Sequence, residues 1–386
     1  MSDLHHEKHL ESCIVQKLAA SGWLVGSTDA YDADRAMYPE DLEAWLRATQ
    51  PKKWDRIQAT NGEKTLKVIM DRLETALEKQ GMVQTLRRGF SIAGAGHLDL
   101  SEAAPEDARN EKVLHRYASN RLRVVPQLKY HPGRELAIDL GLFLNGLPLA
   151  TVELKTDFTQ SVEHAKAQYR KDRPPVDPVT KRKHPLLTQH RGAVVHFAMS
   201  DSEIWMTTKL AGEDTFFLPF NKGDNGRAGN PARADGEYPV AYFWEEICQP
   251  DAFLRIFHSF VYVEKKNVVD LKGNWSVKET LIFPRFHQFD AVNKMIGDAK
   301  EKGPGYPYLC EHSAGSGKTS TIAWTAHDLV KLRRDDGTPI FDTVIIVTDR
   351  NVLDGQLQDA VQQIDHQKGL IAAIDRETSS KSKSEQ

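Results

Sequence analysis

At 386 residues the chain has room for two or three domains. With 40% hydrophobic and 27% charged residues it has ordinary globular composition and can bury a core. The formal net charge of -3 excludes a uniformly basic nucleic-acid coat but leaves local basic grooves open.

Cys13, Cys248 and Cys310 are widely spaced and form no CxxC pair, so neither a disulfide framework nor a zinc knuckle is expected. A reducing, cytoplasmic setting follows. The start, "MSDLHHEKHLESC", has no apolar core and does not read as a signal peptide. His5, His6 and His9 within it read as a polar terminus rather than as metal ligands. No stretch reaches the roughly 18 uncharged apolar residues of a membrane span.

In chain order, residues 9–24 place Leu10, Cys13, Ile14 and Leu18 at helical spacing, with Gly22 as the stop. Residues 40–90 read as further helices. Residues 122–130 are β-rich, and 135–155 read as two strands around Asn145-Gly146. A short helix is expected over 161–173, a Pro- and Lys/Arg-rich loop over 174–191, and two more strands over 192–208. Residues 219–239 form a long irregular segment, and the first domain is expected to end near 265. From 280 onward the pattern changes to helix (287–301), strand (306–311), loop, helix (318–333) and strand (342–348), which implies a parallel sheet. The tail "DRETSSKSKSEQ" is polar and expected to be disordered.

The second half of this pattern carries the first chemical signal. "GSGKT" (315–319) follows an apolar stretch and opens a helix. Glycines there let backbone N–H groups turn onto phosphate oxygens, and the helix N-terminus adds partial positive charge. Lys318 would reach the β- and γ-phosphates of ATP, and the Thr319 hydroxyl would meet Mg²⁺. The loop residues Gly315, Ser316, Gly317, Lys318, Thr319 and Ser320 are the candidate nucleotide contacts, although His312 stands where the strict pattern has glycine. Upstream, Gln288 is a candidate adenine reader, with Arg285 and Phe286 beside it. No acidic pair at the end of a further apolar strand follows. The motor is incomplete as given, and the chain is expected to be the N-terminal portion of something longer.

A second signal lies at 135–155. Glu153 and Lys155 are two apart and share a strand face. Asp139 joins them only if it lies opposite Glu153. A two-residue Asn-Gly turn pairs 144 with 147 and puts Ile138 there instead. A three-residue loop with Gly146 left-handed pairs 144 with 148 and aligns Asp139 with Glu153, so that loop is predicted. Two carboxylates then form a hard oxygen site suited to Mg²⁺. Lys155 would steady an attacking water or the charge on a reacting phosphate. The alternative is a solvated strand face with a weak ion pair. On the next helix Gln168 would fix Lys155, and Arg170, Lys171 and Arg173 would track DNA phosphates. An ordinary basic surface helix is the alternative. Glu11 is a weaker candidate for a further carboxylate.

Taken together, "ESCIVQKLAASGW", the Asp139…Glu153-Leu154-Lys155 core, "EHAKAQYRKDR", "RGAVVHFAMSDSEIWMTTKLAG", "PFNKG", "PRFHQFDAV", "EHSAGSGKTSTIAW" and "VTDRNVLDGQL" resemble the N-terminal part of the restriction (R) subunit of type I restriction–modification enzymes. The resemblance implies an α/β chain of two parts. Residues 1–265 would be a PD-(D/E)xK nuclease with a mixed sheet flanked by helices, and 266–386 the truncated start of a RecA-like parallel α/β motor lobe. It implies Asp139, Glu153 and Lys155 as the nuclease triad, Gln168 and Tyr169 as an accessory element, and Gln288 as the adenine reader. Mg²⁺ and ATP are the implied cofactors. Double-stranded DNA and the methyltransferase and specificity subunits are the implied partners. Two other readings stand beside it: a stand-alone nuclease–helicase of phage defence, and a non-catalytic DNA-binding or assembly module.

Overall fold

The computed structural model describes residues 3–105, 109–157, 160–224, 227–269, 273–348 and 351–364; the polar tail lies outside them. The chain divides into two compact units, Met1–His258 and Ser259–Gln386.

The first unit opens with helix α1 (Asp3–Ala20), and Gly22, at φ 98°, turns the chain into strand β1 (Leu24–Val25). Three helices follow: α2 (Pro39–Thr49), α3 (Pro51–Asn61) and α4 (Thr65–Arg88). Proline occupies the first turn of α2 and α3, where its missing N–H has no helical partner to lose. Gly81 breaks α4 with φ 77°. A small hairpin, β2 (Phe90–Ile92) and β3 (Gly96–Leu98), and helix α5 (Glu111–Ala118) lead to the main sheet.

Strands β4 (Leu122–Lys129), β5 (Ala137–Leu144) and β6 (Leu147–Leu154) form an antiparallel meander. Helix α6 (Val162–Lys171) then crosses to β7 (Val195–Met199), which runs parallel to β6. β8 (Ile204–Thr207) and β9 (Leu218–Pro219) close the order β1-β4-β5-β6-β7-β8-β9. The unit ends with α7 (Pro250–Arg255). All eight residues of β6 are buried, so this strand is covered on both faces and its apolar run does not alternate. The core against α6 is built from Val125, Leu128, Ile138, Phe143, Ala165 and Tyr169. Each Val, Leu, Ile or Phe side chain among them contributes about 1.5–3 kcal/mol by leaving water.

The β5–β6 connection corrects one expectation. It is a two-residue turn: Leu144 pairs with Leu147, and Asn145 and Gly146 are both left-handed, at φ 50° and 86°. The turn is locked from outside. Asn145 Oδ1 accepts from Arg121 N at 2.7 Å, and its Nδ2 donates to Leu100 O at 2.9 Å. Tyr38 N donates to Gly146 O at 2.8 Å, and a Cβ on Gly146 would lie 2.5 Å from Tyr38 O. The tip has no room for a third residue.

The extra residue sits further along β6. Phe143 pairs with Pro148 but Leu142 pairs with Ala150, leaving Leu149 as a β-bulge. Pro148 has no N–H to give the ladder, which makes this the least costly place for a bulge.

The second unit contains an antiparallel hairpin, β10 (Tyr262–Val269) with β11 (Trp275–Ile282), that the sequence reading did not anticipate. Helices α8 (Phe286–Lys302), α9 (Lys318–Lys331) and α10 (Asn351–Ile364) follow. The expected parallel sheet is absent among the described residues: 306–311 and 342–348 join no strand ladder. Leu309, Ile345 and Val347 are 92%, 73% and 87% exposed. A strand holds only when neighbours satisfy its backbone and cover its faces, and no described segment does so here. No helix among the described residues is long and apolar enough to cross a membrane.

Candidate functional site

The Leu149 bulge sets the register of the site. Beyond it Gly141 pairs with Thr151 and Leu140 with Val152, so the next step brings Asp139 opposite Glu153. There the ladder gives way to a side chain: Asp139 Oδ2 accepts from Leu154 N at 2.7 Å. On the other flank Gln127 of β4 donates from Nε2 to Asp139 Oδ1 at 3.4 Å and to Glu11 of α1. Gln127 holds φ 48°, an uncommon backbone for a residue with a Cβ. Lys155 follows β6 and places Nζ 3.3 Å from Glu7 Oε1.

The two carboxylates differ in environment. Asp139 is half-buried and Glu153 fully buried. Burial, with the Asp139 charge adding to it, pushes Glu153 up to about 8 against the pull of Arg173 and Lys155. Burial also raises Glu11, with Asp139 and Glu7 contributing.

Arg173 corrects a second expectation. It does not track a phosphate from the surface: it is buried, with Nε 2.5 Å from Glu153 Oε1 and Nη2 2.7 Å from Ala137 O. A guanidinium just past α6 lies within hydrogen-bond reach of the buried carboxyl and partly opposes the effect of burial on it. Lys171 is exposed, and Arg170 donates to Thr215 O at 3.2 Å. Glu153 Oε2 is buried without a hydrogen-bond partner. That orphaned hard oxygen, beside Asp139, is the donor type a divalent cation such as Mg²⁺ takes, so the residues fit the ion.

Gln168 and Tyr169 are placed differently from each other. Gln168 Oε1 is buried and unpartnered, and no hydrogen bond among the described residues joins it to Lys155. Tyr169 is fully buried; its hydroxyl lies 2.8 Å from Thr151 Oγ1, which in turn lies 2.7 Å from His196 Nδ1. It belongs to the packing that supports β6 from beneath.

In the second unit, Gly315 and Gly317 are left-handed at φ 74° and 84°, and α9 starts at Lys318. Lys318 Nζ lies 2.7 Å from His312 O and 3.1 Å from Ser313 O, folded onto the loop's own carbonyls. Arg285 Nη2 is 3.4 Å from Gly315 O. Gln288 is engaged at both ends of its amide: Oε1 accepts from Arg285 N at 2.9 Å, and Nε2 donates to Gly317 O at 2.9 Å. It braces the loop directly, and a Cβ on Gly317 would meet its Nε2 at 2.4 Å. Thr319 is half-buried beside Lys318, and Ser316 Oγ is buried and unpartnered. Ser320 Oγ instead pairs with Tyr262 Oη at 3.0 Å, on the hairpin.

Sequence reasoning missed Gln127 and Glu7 and misplaced Arg173. Gln127 was findable in principle, because β4 pairs with β5 and the register puts it across from Asp139. The side chains of His5 and His6 lie outside the described residues, and His9 Nδ1 lies 3.1 Å from Tyr238 Oη.

Residues 5–215, more than half of the chain, match the family described as Type I restriction enzyme R protein N terminus. The chain belongs to this family. Residues 287–384 match the family SWI2/SNF2 ATPase. Among curated relatives, the chain is 23% identical over 365 residues to "Type I restriction enzyme HindI endonuclease subunit" of Haemophilus influenzae, covering 91% of this chain and 32% of that protein. It is 25% identical over 295 residues to "Putative type I restriction enzyme MjaVIIIP endonuclease subunit" of Methanocaldococcus jannaschii, covering 73% of this chain and 24% of that protein. The chain thus spans about a third or less of the relatives it matches.

Proposed function

We propose that this chain is the nuclease and phosphate-loop portion of a type I restriction R subunit. In the assembled enzyme it cleaves double-stranded DNA with Mg²⁺, while ATP bound at the second unit drives translocation. Methyltransferase and specificity subunits complete the complex. The observation that carries this reading is the bulge-set register, which places Asp139 across from Glu153 with Lys155 adjacent.

Asp139 Oδ1 and Glu153 Oε2 would hold the ion. When bound, it would polarise the scissile phosphate and acidify an attacking water. Lys155, with Glu7 as counter-charge, stands where an ammonium can orient that water and offset negative charge gathering on the phosphate oxygens. Gln127 fixes Asp139 from the side and Arg173 fixes Glu153 from behind, so both carboxylates are held before DNA arrives. Gly315, Gly317 and Lys318 would cradle the phosphates of ATP. Lys318 would exchange its loop carbonyls for phosphate oxygens, and Thr319 would meet the nucleotide's Mg²⁺. Gln288 would have to release one end of its amide to read adenine.

The test uses the full R subunit in its complex. Lys155→Ala is expected to abolish cleavage while ATP hydrolysis persists, and Lys318→Ala to stop both ATP turnover and cleavage. Cleavage surviving Lys155→Ala would remove the nuclease assignment.

A further inference from the structure

A second cluster of metal-ligating side chains lies in the first unit, outside the carboxylate site. His131 follows β4, and Asp177 and His184 lie on the segment after α6. One ligand atom from each lies within 4.8 Å of the others. Asp177 Oδ2 is 3.5 Å from His131 Nε2 and 4.0 Å from His184 Nε2. The three side chains are 11%, 1% and 3% exposed.

Their hydrogen bonds turn one ligand atom of Asp177 and one of His184 inward. Asp177 Oδ1 accepts from the backbone N–H groups of Val179 and Thr180, which turns Oδ2 toward the imidazoles. His184 Nδ1 lies 2.8 Å from Pro174 O, which accepts only from N–H. In the neutral imidazole the proton therefore sits on Nδ1, and Nε2 is the atom that offers a lone pair. Yet His184 Nε2 is buried with no hydrogen-bond partner. An imidazole fixed by a backbone carbonyl through one nitrogen, with the other turned into a buried polar cluster, is the usual arrangement of a metal-bound histidine.

We propose that His131, Asp177 and His184 bind a divalent transition metal of the zinc class. Two imidazoles and a carboxylate are a borderline donor set that suits zinc rather than Mg²⁺. A tetrahedral ion with bonds of about 2.0–2.1 Å sets its ligands about 3.3–3.4 Å apart. The 3.5 Å pair is already near that spacing, and the 4.0 Å pair would have to draw in on binding. Arg134, 2.9 Å from the same Oδ2, neutralises the carboxylate in the metal's absence, and its half-exposed side chain has solvent to move into.

The ion would join the end of β4 to a segment with no helix or sheet of its own. Arg173 stands at the start of that segment, and its guanidinium lies 5.8 Å from the ring of Tyr130, the residue before His131. The metal would thus hold in place the residue that holds Glu153.

The chain is to be produced without a histidine tag in zinc-supplemented medium, dialysed against metal-free buffer and assayed by elemental mass spectrometry. About one zinc per chain is expected, both in the wild type and in Asp139→Ala, which alters the carboxylate site. It should also persist when His5, His6 and His9 are all replaced by Ala. His131→Ala and His184→Ala should each lose it. Zinc lost with the N-terminal histidines or with Asp139, or no zinc retained and none taken up on titration, overturns the proposal. Should the histidine variants fail to fold, X-ray absorption of the wild-type protein decides. Two imidazoles with oxygen support the site, and sulfur ligation from a cysteine refutes it.

Discussion

Glu153 is the residue on which most of the site depends. In a reading of E-x-K alone, a solvated strand face is as good an explanation as a metal ligand. Burial separates them: a solvated glutamate would not be driven to about 8. The sign of the consequence is fixed. A free glutamate titrates near 4.5, so between that value and about 8 the folded chain binds the extra proton. The stability this group contributes is full below pH 4.5 and is lost as pH rises through 8. A cation needs the ionised form, so it competes with that proton. Mn²⁺ affinity, measured by calorimetry as a stand-in for Mg²⁺, is expected to climb by up to about tenfold per pH unit from 6 to 8 and then level off. Glu153→Gln should flatten the rise. Arg173→Met should move the plateau to higher pH, because the guanidinium is what pulls the carboxyl down. A wild-type affinity flat across this range would show that Glu153 is not a ligand.

At the scale of elements, the hairpin shows how far a sequence can be read. The need for one extra residue between Asp139 and Glu153 followed from strand alternation alone, because a slip of one sends a side chain to the opposite face. Where that residue would go did not follow. It depends on Tyr38, just before α2, and Leu42 of α2 crowding Gly146, and on Pro148 lacking an N–H, which are tertiary facts. Arg173 escaped for the same reason: as a sequence it is one of a run of basic residues, and only packing turns it inward. The carboxylates and the phosphate loop were legible because their spacing is local. Glu7 and the His131–Asp177–His184 cluster were not, because they come together from distant segments, and Gln127 required the β4–β5 register. The register can be tested directly. Deleting Leu149 closes the bulge and keeps Leu142 opposite Ala150, so Asp139 stays across from Glu153 and Mn²⁺ binding should persist. Inserting one alanine after Thr151 slips Glu153 by one residue against β5 and sets Val152 across from Asp139, so binding should be lost. Binding that survives the insertion would mean that the register does not set the site.

At the scale of the whole chain, the division at His258 separates two chemistries as well as two packing units. Asp139, Glu153, Lys155, Gln127, Glu11 and Arg173 all lie in the first, and the phosphate loop lies in the second. The first has a seven-stranded sheet with its central strand covered on both faces. Among the described residues, the second has a two-stranded hairpin and three helices, with apolar side chains such as Leu309 and Val347 turned to solvent. Hydrophobic burial scales with apolar area removed from water, so the larger share of the cooperative stability belongs to the first unit. Residues 1–258 produced alone are therefore expected to unfold in urea in a single cooperative transition and to bind Mn²⁺ as the 386-residue chain does. Residues 259–386 alone should unfold at lower denaturant and expose a hydrophobic-dye-binding surface while still folded. Loss of Mn²⁺ binding in the isolated first unit would show that the second takes part in the carboxylate site, which no contact within the first unit requires.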